Sequence, residues 1–541
     1  MMGDKMENSN FAKLFANRAV LCFFLIMLLM LSSMLRVAVI ATGNYSAVQS
    51  EQSAYRIKIA NLRGTIYDCN MIPITNSKSK IIAAVSPTPK AVVGISAALD
   101  GGELQSVLNK LSLNKPAVCE LKVPIQCDGI SFTSVYENVS EDLPACHLIG
   151  YTDSTGHGVS GLQKAYDELL YSEKSVYAVY TTDGKGDILS GVSPYFENDL
   201  SVVSSGVVTT LDINIQNIVE NSSVGIERGA VVVADAKDCK IRALVSMPTY
   251  DIANISQSLQ DENSPLLNRA FSAYSVGSVF KPCVAAAAIE AGRGEFIFEC
   301  TGSTQIGDRI FKCHKLDGHG TVDLCSALAQ SCNCFFYNFA ISLGGEGLYK
   351  MASSLSLGTS FNIADNLSVA SGSIPKISAL SNDGAIANLS IGQGDLLLSP
   401  VAMLTLYCSI ANGGCYRFPS VVEKTIKNGR VTAVDSAYPT RVMSEKTANL
   451  IKTYLQSVIS EGTGTDAAPT LTSAAGKTAT AQTGRYDDNG IEITNSWFCG
   501  LFPADEPQYV VIVMSEGVSQ VSAASVFAKI ADGITKYKTK T

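Results

Sequence analysis

The chain has 541 residues, with 41 basic against 49 acidic side chains, so its net charge is −8 with the four histidines neutral. At roughly 100–200 residues per domain it holds two or three folded units. A content of 46% hydrophobic and 17% charged residues excludes a disordered tail. The acidic balance, with no dense Lys/Arg cluster, excludes a protein held on nucleic acid by phosphate charge.

The first predicted element is a membrane helix. Ala19 to Leu35 carries no charge, and apolar character resumes after Arg36 through Val37–Ala41. About 20 residues at 1.5 Å rise cross a hydrocarbon core of ~30 Å, and Arg36 can snorkel to the interface. A cleaved signal peptide is the alternative, but the apolar stretch exceeds the usual ~7–15 residues and no clear A-x-A site follows. Lys5, Lys13 and Arg18 precede the helix and favour a cytoplasmic N-terminus. The expected layout is a cytoplasmic tail (1–18), a single-pass anchor (19–41), an irregular β-rich pedestal (42–200) and a catalytic domain (201–541), with the last two outside the cytoplasm. Fourteen of the fifteen cysteines, all but Cys22, then lie outside, yet their spacing shows no dense disulfide framework.

Within the pedestal, Tyr55–Ile59 reads as a strand, followed by RGTIYD from Arg63 to Asp68. Turn-rich residues near 195–206 mark the expected boundary. Gly229 to Pro248 reads as an antiparallel hairpin turning at Lys237–Asp238. Asn495–Phe502 and Tyr509–Val513 read as two more strands. Val521, Ala524, Phe527, Ile530 and Ile534 recur at helical spacing, which predicts an amphipathic helix lying on that sheet. The expected fold is therefore α+β: an antiparallel sheet made from both ends of the domain, flanked by helices, with a helical subdomain inserted between.

The strongest chemical signal lies in YSVGSVFKPCVAAAAIEAG. Ser278 and Lys281 are three residues apart, Pro282 sits in the first turn, and Gly292 follows an Ala-rich run. On a helix that spacing puts the ammonium beside the hydroxyl, and an apolar setting lowers a lysine pKa until the neutral amine can take a proton. Ser278 is then an activated nucleophile at a helix N-terminus, whose free amides face a developing oxyanion. An isolated S-x-x-K is common by chance. Here it is followed by Ser331-Cys332-Asn333 in a helical pattern and by Lys477-Thr478-Ala479 in a strand-like one, in the order S-x-x-K, S-x-N, K-T-G.

With those three motifs the chain resembles a class B penicillin-binding protein, a D,D-transpeptidase of bacterial wall synthesis with a serine transpeptidase/β-lactamase-like fold. RGTIYD, GVSGLQKAYDELL (Gly158 to Leu170), IGQG (Ile391 to Gly394) and ANGG (Ala411 to Gly414) extend the resemblance over nearly the whole chain. It implies a two-step acyl transfer. Ser278 attacks the penultimate D-Ala carbonyl of a stem peptide ending in D-Ala-D-Ala, with Lys281 as base. Ser331 and Asn333 relay protons and hold the substrate amide. Lys477 and Thr478 bind the terminal carboxylate, Ala479 and Thr480 border the substrate, and the amides of Ser278 and Thr480 form the oxyanion hole. β-Lactams acylate the same serine. No cofactor is required for that chemistry.

The sequence departs from the family pattern at three places: Ala479 replaces the glycine of K-T-G, Cys69 stands where arginine is usual, and Gln163 where glutamate is usual. Residues 42–200 are too short for the ~200-residue glycosyltransferase domain of class A members, and Glu141-Asp142 reads as a surface loop. Glycan polymerisation then falls to a partner glycosyltransferase. Cys300, Cys313, His319 and Cys332 have the spacing C-x12-C-x5-H-x12-C, which suits one structural Zn²⁺. The alternatives are a Cys300–Cys313 disulfide, unliganded thiols, or His314 as the imidazole ligand. His147, His157, His314 and His319 lie in loop-like contexts and none is near the serine in sequence, which gives a serine–histidine–carboxylate reading little support while leaving their spatial proximity open. A β-lactamase or β-lactam sensor, and a catalytically weak wall-synthesis scaffold, remain the competing functions.

Overall fold

The structure, a computed structural model, describes residues 4–42, 54–139, 142–198, 203–435, 437–487 and 489–540. Glu141 and part of the expected 195–206 boundary lie outside the described residues. The chain forms two compact units. The first holds residues up to 60, 80–135 and 175–199; the second holds 61–79, 136–174 and 200–541.

In the first unit, a helix spans Asp4–Thr42, and its stretch Ala16–Ala41 is long and apolar enough to cross a membrane. A separate three-stranded sheet, ordered Ala117–Leu121, Lys78–Val85, Ile130–Glu137, carries two short helices, Pro89–Ser96 and Gly101–Ser112. The first of these starts where Thr88 accepts the Ala91 amide and Pro89 occupies a position whose N–H has no helical partner.

The second unit is built on a five-stranded antiparallel sheet. Its strands are β1 (Gly229–Asp235), β2 (Ile241–Met247), β3 (Ala475–Tyr486), β4 (Glu492–Phe502) and β5 (Tyr509–Glu516), in the order β2-β1-β5-β4-β3. The strand runs are nearly continuous in apolar residues because both faces are covered. Val231, Val233, Val511 and Val513 pack on one side with helices α1 (Ile213–Ser222) and α6 (Ala523–Lys538). Val232, Ala234, Val510 and Ile512 face the other side, with α2 (Lys281–Glu290), α3 (Asn333–Leu343) and α4 (Pro400–Ala411). Helix α5 (Glu445–Ser460) packs beside β3.

Ser522 caps α6 by accepting the Ser525 amide, and Ala524, Phe527, Ile530 and Ile534 are buried as the periodicity predicts. Lys281 through Ala288 of α2 are all buried, as are Pro400 through Ile410 of α4. Helices apolar all round belong in the centre of a domain. The α+β architecture expected from the sequence is present.

RGTIYD and the Gly158–Leu170 segment interlock within this unit. Arg63 donates to Gln163 Oε1 at 2.6 Å, to Gln163 O at 2.8 Å and to Gly156 O at 2.8 Å, and pairs with Asp167 at 2.8 Å. Gln163 thus serves as a neutral acceptor where glutamate is usual, and Asp167 supplies the charge. Asp142 pairs with Lys78 at 2.9 Å on an exposed surface, as expected of a loop.

Candidate active site

Ser278 lies in a 3₁₀ turn, Gly277–Phe280, that runs directly into α2. The sequence suggested a plain helix start. A 3₁₀ turn has three residues per turn, so it places residue 281 directly below residue 278. Gly277, at φ +63°, makes the turn possible: a Cβ there would sit 3.3 Å from the Ala479 Cβ and 3.1 Å from that of Ala481. IGQG packs on the same turn, because Gly277 donates to the Gly392 carbonyl at 2.9 Å and a Cβ on Gly392 would lie 1.9 Å from Gly277 O. Tyr407 of α4 donates to Val279 O at 3.0 Å, and Trp497 of β4 to Ser275 O at 3.0 Å. The Ser278 turn is therefore pinned from four sides.

Lys281 joins the first two motifs. Its side chain is wholly buried, and Nζ donates to Ser331 O at 2.8 Å, Ser331 Oγ at 3.1 Å and Asn333 Oδ1 at 2.8 Å. Burial pushes the Lys281 pKa down to about 7, against a smaller opposing effect of Cys332 and other nearby thiols. Ser331 holds a left-handed backbone at φ +55°, a conformation uncommon for a side-chain-bearing residue. It precedes α3, which begins only at Asn333, so the two motif residues reach Lys281 from a kinked entry rather than from successive helical turns.

The third motif lies on β3. Lys477 is fully buried, and burial together with the Lys281 charge drives its pKa well below the lysine range. Thr478 and Thr463 share a hydroxyl hydrogen bond of 2.8 Å. Ala479 pairs with Trp497 across β3–β4, and its methyl lies against Gly277, which absorbs the extra carbon relative to glycine. Ser278, Ser331, Asn333, Thr478, Ala479 and Thr480 all line one cleft of ≈ 430 Å³, with Lys281 and Lys477 buried in its immediate surroundings. Sequence reasoning missed Thr463 and Asp466 in its lining, and it set His314 apart from the serine except as a possible zinc ligand, whereas His314 lines the same cleft as Ser278. The signal for Thr463 was the EGTGT run after α5, where a Cβ on Gly462 would strike Ala329 O at 2.3 Å. A wider groove of ≈ 1160 Å³ lies in the first unit, lined by the surface ion pair Lys90–Asp128 and by Cys127, and it holds none of the three motifs.

Residues 229–535 match the penicillin-binding protein transpeptidase domain family. The chain belongs to that family. It is 30% identical over 433 residues to peptidoglycan D,D-transpeptidase PbpA of Mycolicibacterium smegmatis, covering 74% of this chain and 83% of the relative. It is 30% identical over 418 residues to penicillin-binding protein PbpB of the same organism, covering 72% and 62%. The chain spans about three fifths of the length of the first curated relatives it matches: 62%, 58% and 60%. In fold it resembles penicillin-binding protein 3 of Mycobacterium tuberculosis in complex with aztreonam, with a TM-score of 0.64 at 23% identity over 90% of this chain and 97% of that one.

Beside the cleft, Cys300, Cys313, His319 and Cys332 bring their ligand atoms within 4.8 Å of one another. His319 Nδ1 lies 3.6 Å from the sulfurs of both Cys300 and Cys313, and the Cys313 and Cys332 sulfurs are 4.0 Å apart. A tetrahedral zinc with Zn–S of ~2.3 Å and Zn–N of ~2.0–2.1 Å sets S···N near ~3.5 Å and S···S near ~3.8 Å. The donor set and its spacing fit that ion. Cys332 also caps α3, its sulfur accepting the Phe335 amide at 3.5 Å. His147 and His157 are elsewhere, on Pro265 O at 2.6 Å and Asp167 at 2.8 Å.

Proposed function

We propose that this chain is a membrane-anchored, serine-type D,D-transpeptidase that cross-links peptidoglycan stem peptides and is acylated by β-lactams. The observation that carries this reading is the three-way donation of Lys281 to Ser331 and Asn333, which ties the nucleophile's turn to the second motif beside the β3 strand. When Lys281 loses its proton, its two remaining hydrogens serve the pure acceptors Ser331 O and Asn333 Oδ1, and its lone pair is left for the hydroxyls. Ser278 Oγ gives its proton to that amine as it attacks the penultimate D-Ala carbonyl. The amides of Ser278 and Thr480 hold the oxyanion, Lys477 and Thr478 receive the terminal carboxylate, and terminal D-Ala departs with the proton relayed through Ser331. An amine of a second stem then takes the acyl group from Ser278.

The Ala16–Ala41 helix anchors the chain with its N-terminus in the cytoplasm, and a membrane glycosyltransferase partner supplies the glycan strands. A structural Zn²⁺ on Cys300, Cys313, His319 and Cys332 would brace the start of α3, and those residues' part is to fix Ser331 and Asn333. Stoichiometric zinc in purified protein, lost in Cys313→Ser, is the expected result; its absence from the unmodified protein removes the ion. Labelled penicillin tests the activity itself. Stable acylation of Ser278 supports the transpeptidase, rapid turnover points to a β-lactamase, and no acylation to a scaffold.

A further inference from the structure

Cys239 and Cys408 line no part of the cleft and belong to no motif. Cys239 closes the turn between β1 and β2 at φ +59°, where glycine or asparagine sits without strain and a cysteine does not. An outlier of this kind calls for a reason in the side chain. Its sulfur lies 3.1 Å from that of Cys408 on α4, and both residues are 1% exposed. Two further contacts seat the turn on the helix. Asn412 donates to Lys237 O at 2.9 Å, and the Asp235 carbonyl accepts the Cys239 amide at 3.0 Å while lying 3.8 Å from the Cys408 sulfur. The sulfurs have about 1 Å to close to reach a bond of ~2.05 Å. Cys313 and Cys332, by contrast, stand 4.0 Å apart and converge with His319.

The geometry points to a disulfide between Cys239 and Cys408 that staples the β1–β2 turn to the central helix of the catalytic unit. It forms by exchange with a disulfide-bearing oxidant. One thiolate attacks that disulfide, the second displaces the oxidant's sulfur from the mixed disulfide, and the pair loses two electrons and two protons as the oxidant becomes two thiols. Exchange takes place during folding, before α4 covers the turn. In the folded state burial raises the Cys408 thiol pKa, which protects the reduced pair from later exchange. The occurrence of the bond in cells rests on the extracytoplasmic placement proposed above; its chemistry does not.

The test uses the full chain in detergent, refolded with glutathione disulfide, alkylated in denaturant without reductant and mapped by mass spectrometry. A peptide pair linking Cys239 to Cys408, 2 Da lighter than the reduced pair, is expected; two alkylated thiols, or links to other cysteines, overturn the proposal. Cys239→Gly removes both the sulfur and the strain. It is expected to lower Tm by about 5–10 °C in oxidising buffer, yet to match or exceed the unmodified protein in reducing buffer. An equal change in both buffers contradicts the staple. A pair that is reduced in protein taken from cells but linked by glutathione disulfide supports the staple and refutes the extracytoplasmic placement.

Discussion

Arg63 and Lys281 are both buried cations of the same unit, held in opposite ways. Arg63, 5% exposed, is surrounded by a carboxylate and three amide oxygens, so it stays charged and holds RGTIYD to the Gly158–Leu170 segment. Lys281, 0% exposed, donates only to uncharged oxygens and lies over the Phe336 ring at 5.1 Å, and among the described residues no carboxylate forms an ion pair with it or with Lys477. A partner charge favours the protonated form of a buried cation, whereas burial without one makes the proton easier to lose. The buried pair Arg269–Glu516, at 3.3 Å and joined by Arg485 at 2.8 Å, belongs with Arg63.

The sharpest way to break this contrast is to exchange each cation for a neutral chain. Lys281→Met is expected to reduce acylation by a β-lactam roughly 10²–10⁴-fold, with Tm unchanged or raised. The sign follows from the depressed pKa. Between about 7 and the ordinary lysine value the folded state binds fewer protons than the unfolded, so the cost of burying Lys281 is greatest at low pH and fades as pH rises. The Tm gain of Lys281→Met should accordingly be larger at pH 6 than at pH 9. Arg63→Met should do the reverse, costing about 3–5 kcal/mol of stability by orphaning Asp167 and its neighbours, with the acylation rate per folded molecule unchanged in a stopped-flow assay. A catalytic loss in Arg63→Met larger than in Lys281→Met would dissolve the distinction.

Asn333→Ala sharpens it further. Losing one acceptor on the base and one contact for the substrate should lower acylation about 10–100-fold, with little change in Tm. The smallest expected effect is that of Ala479→Gly. Its methyl is taken up against Gly277, so restoring the family's glycine should change the acylation rate less than about tenfold and cost ~1 kcal/mol or less of stability.

Local pattern was enough for α2, the β1–β2 hairpin and α6, because capping, turn residues and periodicity act within a dozen positions. Asn333 and Lys477 were legible as motifs, although nothing local says that they converge on Lys281. The left-handed Ser331, the seat of Gly392 on Gly277 and the entry of Thr463 into the cleft were not legible. Each is set by a backbone approach between segments far apart in sequence, and such approaches leave only an isolated glycine or threonine as a trace. The Arg63–Gln163 bond likewise joins residues 100 positions apart, so Gln163 could be marked as a departure but not as an acceptor.

In the proposed mechanism Ser278 acts with a base that is neutral near physiological pH. The most direct test of that mechanism is the rate of Ser278 acylation by a radiolabelled penicillin, with the adduct located by peptide mapping, between pH 5 and 9. The expected result is an adduct on Ser278 whose rate rises about tenfold per unit below pH 7 and levels off above it. An adduct on another residue, or a rate indifferent to pH across that range, would contradict it.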